Sequence, residues 1–209
     1  MKKLIFFLVV FIAAAFQLKA QKSPKPSSLF SGKLHSSGYG ALSTQYSSFN
    51  GESAIFTGAY GGWMINHKLM IGLGGYGLVT SHDGYAMNDE TDGSHNKLKM
   101  GYGGLMLEYT FLEQKRFHVT TNLLVGGGFV ANASKISGPG RHEDTWQSKE
   151  ESGFAVIQPG INIETDITPW FRIGVGGGYR YIASANMSGI SNSKMSAPTA
   201  NVSLKFGVF

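Results

Sequence analysis

Six charged side chains sit where charge is uncommon. Glu108, Glu164, Asp166, Arg172, Arg180 and Lys205 all lie inside stretches in which every second residue is apolar. In "PGINIETDITPWFRIGVGGGYRYI" (159–182) the apolar positions alternate with Asn162, Glu164, Asp166, Arg172 and Arg180. If the chain folds back at "TPW" with Ile167 opposite Phe171, Asp166 stands beside Arg172, Asn162 beside Gly176 and Gln158 beside Arg180. All are even-numbered and share one face, because side chains alternate along a strand. The other face carries Ile157, Ile161, Ile163, Ile173, Val175 and Tyr179. Three acids and three bases on one side of a sheet can neutralise one another in an enclosed interior. They can also form a path for protons or ions, which looks identical in sequence.

Other residue groups have types that chemistry uses. "GLGGYG" (72–77), with Asp92 further on, matches the spacing of a dinucleotide loop, but "LVTSHDGY" follows where a helix must open. The histidines His35, His67, His82, His95, His118 and His142 have no metal-binding spacing. His82, Asp83, Asp89, Glu90, Asp92 and His95 offer at most a weak cation site, and no cofactor or metal is expected. "RHEDTWQSKEES" contains His142, Glu143, Asp144 and Ser148, the residue types of a hydrolase. They fall in a loop rather than on strands that would hold their geometry, so no catalytic residue is assigned.

The elements that position the charges are strands. Alternation and turn signals place eight of them near 36–48, 54–65, 69–81, 98–111, 117–133, 154–167, 171–185 and 197–209. Most are longer than soluble strands, whose usual length is about 5–6 residues, and match the roughly 9–11 a tilted strand needs to cross a bilayer. Short turns ("NHK", "LEQKR", "TPW") alternate with long polar loops, notably 82–97 and 135–153. That asymmetry is the pattern of an outer-membrane barrel. With Phe111 opposite Phe117, Glu108, Thr110, His118, Thr120 and Asn122 face inward, and Lys205 falls on the inward face of the last strand. With Ile65 opposite Leu69, Tyr60 covers Gly74 and Tyr76 covers Gly58; which face meets lipid in that hairpin is left open. An eight-stranded barrel is only wide enough to be filled by its own side chains. The expected interior is therefore plugged and salt-bridged.

The first 20 residues, "MKKLIFFLVVFIAAAFQLKA", have a basic start, an apolar run from Leu4 to Phe16 and a small residue at Ala20. These are the parts of a secretory signal peptide. A Pro-, Ser- and Lys-rich leader (21–34) follows, then one domain over 35–209. The formal charge of +5 falls by three, to +2, once Lys2, Lys3 and Lys19 are set aside with the signal. That balance gives no reason to expect nucleic acid as a partner. There is no cysteine, hence no disulfide framework.

On "PGINIETDITPWFRIGVGGGYRY" and the closing "NVSLKFGVF", the segment 35–209 resembles the small eight-stranded outer-membrane β-barrels of Gram-negative bacteria, the broad OmpA/OmpX-like group. The resemblance implies an all-β, antiparallel up-and-down transmembrane barrel in the outer membrane. It also implies contact with outer-membrane lipid and handling by the barrel-assembly machinery, for which terminal Phe209 resembles the recognition signal. Val202, Leu204, Phe206 and Val208 share one face and Phe209 falls on the other, a departure from the family's phasing. The function expected is non-enzymatic, structural in the envelope or surface contact through the loops. The surface ligand is unspecified, and Trp146 is the candidate contact. A lipid A-modifying enzyme and a soluble periplasmic barrel that binds an apolar ligand are the alternatives.

Overall fold

The computed structural model describes residues 35–80, 82–83, 96–113, 117–136, 145–184 and 191–209. The proposed signal peptide (1–20) and leader (21–34) lie outside these residues, as do 84–95 and 137–144. The described chain is almost entirely strand: β1 Ser36–Phe49, β2 Glu52–Ile65, β3 Leu69–Leu78, β4 His82–Asp83, β5 Asn96–Glu113, β6 Phe117–Ile136, β7 Thr145–Thr168, β8 Phe171–Ala183 and β9 Ala197–Val208. A single helical turn, α1, spans Asn192–Met195.

Each long strand pairs antiparallel with its sequence neighbours, and β1 pairs with β9 from Gly38↔Val208 to Ser47↔Thr199. The sheet thus closes on itself as an eight-stranded barrel, with β3 and the two-residue β4 both pairing to β5 as parts of one stave. Closure leaves no unpaired edge. The β1–β2 turn is Asn50-Gly51 with φ of 54° and 86°, the left-handed pair that a two-residue hairpin requires.

The faces are inverted relative to a water-soluble barrel. Buried side chains point to the axis, including Lys205 and Arg180 at 0% exposure, while Leu73 (70%), Val208 (63%) and Trp63 (60%) point out. The open question about β2 and β3 is resolved: Phe56, Tyr60, Met64, Met70 and Tyr76 are buried, and Ile55, Trp63, Ile71 and Leu73 are exposed.

Several expected boundaries and registers differ. The strand expected over 69–81 leaves the ladder after Leu78 and rejoins it briefly as β4. In the β5–β6 hairpin, Phe111 does not face Phe117; Thr110 pairs with Thr120, and a bulge lies between Thr110 and Leu112. The shift is two residues, so parity and face assignments survive. In β7–β8, Asp166↔Arg172 and Asn162↔Gly176 pair as expected, but Thr168, not Ile167, faces Phe171. Strand β7 begins nine residues earlier than expected, at Thr145, and continues its ladder with β6 up to Ile136↔Thr145. A ladder needs only paired backbone groups. A polar stretch that reads as loop can therefore extend a hairpin whose stems are in register. Trp146, expected in a loop, is a strand residue opposite Lys135; its side chain lies outside the described residues.

Candidate functional site

The site is the barrel interior, built in three layers. Nearest the short turns is an ionic layer. Strand register sets His118 opposite Glu164, and Arg172 opposite both Asp166 and Lys205. Arg172 Nε donates to Asp166 Oδ1 at 2.6 Å, and Nη1 reaches Glu164 Oε2 at 3.4 Å. Lys205 Nζ donates to Glu164 Oε1 and, across the barrel, to Glu108 Oε1, both at 2.5 Å. Thr120 donates to Glu164 Oε1 at 2.8 Å and Tyr39 to Glu108 Oε1 at 2.7 Å. His118 Nε2 lies 2.8 Å from Asp166 Oδ2, so that nitrogen carries the proton facing the carboxylate.

Glycine makes this density possible. A Cβ at Gly174 would lie 2.7 Å from Ser203 Oγ and 3.1 Å from Glu164 Cγ. At Gly176 it would lie 2.8 Å from Asn162 Cα. The inward side of β8 thus supplies the room that the acids of β7 occupy. Outside the ionic layer, at the short-turn mouth, a cavity of about 260 Å³ is bordered by His67, Thr110, His118, Asp166, Arg172 and Phe209. Phe209 lies on the inward side, opposite to Val208, with its ring 4.2 Å from Arg172 Cζ and 5.4 Å from the Tyr39 ring.

The middle layer is amide and phenol. Tyr102 OH donates to Gln158 Oε1 at 2.9 Å with Gln45 Oε1 at 3.2 Å, and Gln158 Nε2 donates to Gln45 Oε1 at 3.1 Å. Asn201 Nδ2 donates to Asn162 Oδ1 at 3.0 Å. The cavity here, bordered by Ser43, Gln45, Asn122, Gln158 and Asn201, measures about 10 Å³, about the space of one water molecule.

Nearest the long loops the filling is apolar: Phe49, Phe56, Val130, Val156, Ile182 and Met195 are all at or below 1% exposure. Arg180 is set among them. It was grouped with the acids from sequence, and here the structure differs. Arg180 Nε donates to Met195 O at 3.0 Å and Nη2 to Ser48 O at 2.7 Å, and its Cζ stands 4.3 Å from the Phe56 ring. Among the described residues it binds two main-chain carbonyls rather than a carboxylate. Face parity placed Arg180 inward correctly but carries no information on height, and the ionic layer lies at the opposite end.

The structure therefore brings Glu108, Glu164, Asp166, Arg172 and Lys205 together and sets Arg180 apart. Sequence reasoning missed His118, Tyr39 and Thr120 as members of the ionic layer. His118 had the parity for it; Tyr39 offered only its place on β1. Met195 gave no signal, because its segment reads as a polar loop. The nucleotide-like "GLGGYG" lies within the β3 ladder, where no helix opens. Of the hydrolase-like residues, His142, Glu143 and Asp144 lie outside the described residues, as does the Ser148 side chain. Of the acidic-loop residues, His82 and Asp83 form β4, and Asp89, Glu90, Asp92 and His95 lie outside.

No family model matches the chain, and no curated protein matches it significantly. Solved structures do. A major outer membrane protein from Thermus thermophilus is 12% identical, over 81% of this chain and 98% of its own, with a TM-score of 0.50. Neisserial surface protein A is 14% identical, over 82% and 96%, with a TM-score of 0.49. The attachment invasion locus protein Ail of Yersinia pestis is 10% identical, over 84% and 99%, with a TM-score of 0.47. At such identity the likeness to the Thermus protein speaks to architecture alone: this chain has the closed eight-stranded antiparallel barrel of an outer-membrane protein.

Proposed function

We propose that the chain is an exported integral outer-membrane protein whose barrel is a filled post rather than a pore. Its role is non-enzymatic, in envelope structure or in surface contact through the long loops. The observation that carries this reading is the inversion of polarity. Lys205 and Glu164 are at or below 1% exposure while Leu73, Val208 and Trp63 are at 60% or more. Water would penalise that outer face, and hydrocarbon does not. Aromatic side chains mark the short-turn boundary, where Trp170, Phe171 and Phe206 stack with Phe171 and Phe206 centroids 5.0 Å apart. Aromatic belts sit at the edges of lipid. The short turns then face the periplasm and the long loops the exterior. Outer-membrane lipid is the surrounding partner, and the assembly machinery a partner in biogenesis.

Fractionation tests the location. The mature protein should remain with outer membranes after carbonate washing, and recovery as soluble periplasmic protein would refute the reading. Planar bilayers test the filled interior: no steady conductance is expected, and porin-like currents would refute it.

A further inference from the structure

We propose that α1, carrying Met195, is a stopper that docks in the loop-side mouth and leaves it as one unit while the barrel wall stays closed, with Arg180 as its latch. Met195 is at 0% exposure and belongs to the buried apolar cluster, yet Asn192–Met195 form no part of the strand ladder. Backbone and side-chain bonds tie the stopper to the wall. Asn50 N donates to Lys194 O at 2.8 Å, Ile182 N to Ser196 Oγ at 2.9 Å, and Arg180 Nε to Met195 O. Other bonds close the turn on itself: Lys194 N to Ser191 O at 3.0 Å and Ser196 N to Asn192 O at 2.9 Å. It can therefore leave without losing its own turn.

The wall does not depend on it. The β8–β9 ladder resumes at Arg180↔Ala197 and runs to Phe171↔Phe206, and β9 is held on its other side by β1. Arg180 stays with the wall, because Nη2 binds Ser48 O and the guanidinium lies on Phe56. What the stopper covers is an apolar cup of Phe49, Phe56, Val156 and Ile182. Opening would expose that cup to the exterior side without opening a channel, since the ionic layer lies beyond it. Such a unit is a local opening, separate from global unfolding.

The experiment uses the full barrel in nanodiscs, with trypsin cleavage at Lys194 and hydrogen exchange at the Asn50 and Ile182 amides. Met195→Ser and Arg180→Gln should each speed Lys194 cleavage roughly tenfold or more, and speed both amides together, while the Val202 and Leu204 amides stay unchanged. Glu164→Gln, which weakens the ionic layer instead, should leave Lys194 cleavage within about twofold of wild type. If Arg180→Gln fails to fold, Met195→Ser decides alone. Cleavage that rises as much in Glu164→Gln as in Met195→Ser would overturn the proposal. So would Asn50 and Ile182 amides that exchange independently.

Discussion

Replacing Lys205 with Met removes an ammonium that bonds carboxylates of two other strands, one of them across the barrel. Lys205 Nζ bonds Glu108 and Glu164, and the side chains of all three are at or below 2% exposure. Methionine keeps the unbranched stem, so the change is mainly one of charge. Glu108 would keep Tyr39 as a donor, and Glu164 would keep Thr120 and the longer contact to Arg172. Glu108 would then face no cation among the described residues, and Glu164 would keep only the guanidinium that Asp166 also holds. Breaking one buried pair costs about 3–5 kcal/mol, because the partner is stranded without compensation. The expected loss is at the upper end of that range. The Lys205→Met/Glu108→Gln/Glu164→Gln variant should recover most of it, since neutral amides in place need no counter-charge. Reversible urea unfolding in detergent or lipid, followed by tryptophan fluorescence, measures both. A loss below about 1 kcal/mol in Lys205→Met, or no recovery in the triple variant, would refute a buried ionic layer as the reason these residues are where they are.

Asp166 should matter less. Its side chain is 35% exposed at the mouth, between the range of surface pairs and that of buried ones, so Asp166→Ala should cost about 1–2 kcal/mol by the same unfolding assay. Gly176→Ala would set a Cβ 2.8 Å from Asn162 Cα; overpacking of that kind costs about 1–3 kcal/mol, and a neutral result would mean that β7 and β8 are looser than described. Trypsin on intact cells should cut at Arg141 before Lys135 or Lys149, because both lysines are strand residues of β6 and β7. Peptide mapping that found Lys115 or Arg116 cut first would invert the topology.

Strand identity, strand count and inward face were readable from sequence because they rest on a period of two, which every residue of a strand reports. Glu108, Glu164, Arg172, Arg180 and Lys205 are buried inward as parity required, and Asp166 turns inward at the mouth to His118 and Arg172. Height along the axis was not readable, since parity is silent on it; Arg180 was grouped with acids that lie at the other end. Contacts across the lumen were not readable either. Lys205 meets Glu108 on a strand 97 residues away in sequence, and no local pattern pairs them. The extension of β7 and the turn α1 were hidden because their residues are polar and are ordered by what they pair with or plug.

The misplaced β5–β6 register shows what the ionic layer does for this fold. Setting Phe111 opposite Phe117 differs from the observed pairing by two residues, and both settings keep each side chain on the same face. Burial of apolar surface therefore fails to choose between them, although it forbids a slip of one. The ionic layer discriminates. Glu108 bonds Lys205 of β9 and Tyr39 of β1, and a two-residue shift of β5 would carry it to another height. Glu164 is opposite His118 of β6, next to the strand that carries Glu108. A slip would separate carboxylates from their donors inside a filled interior, where burial penalises an unpaired charge. Buried charge is poor at adding net stability, and its best-attested use is to specify one arrangement among near-equal ones. In this barrel, the two-residue alternation accounts for which way each residue faces, and the ionic layer for how far along its neighbour each strand sits.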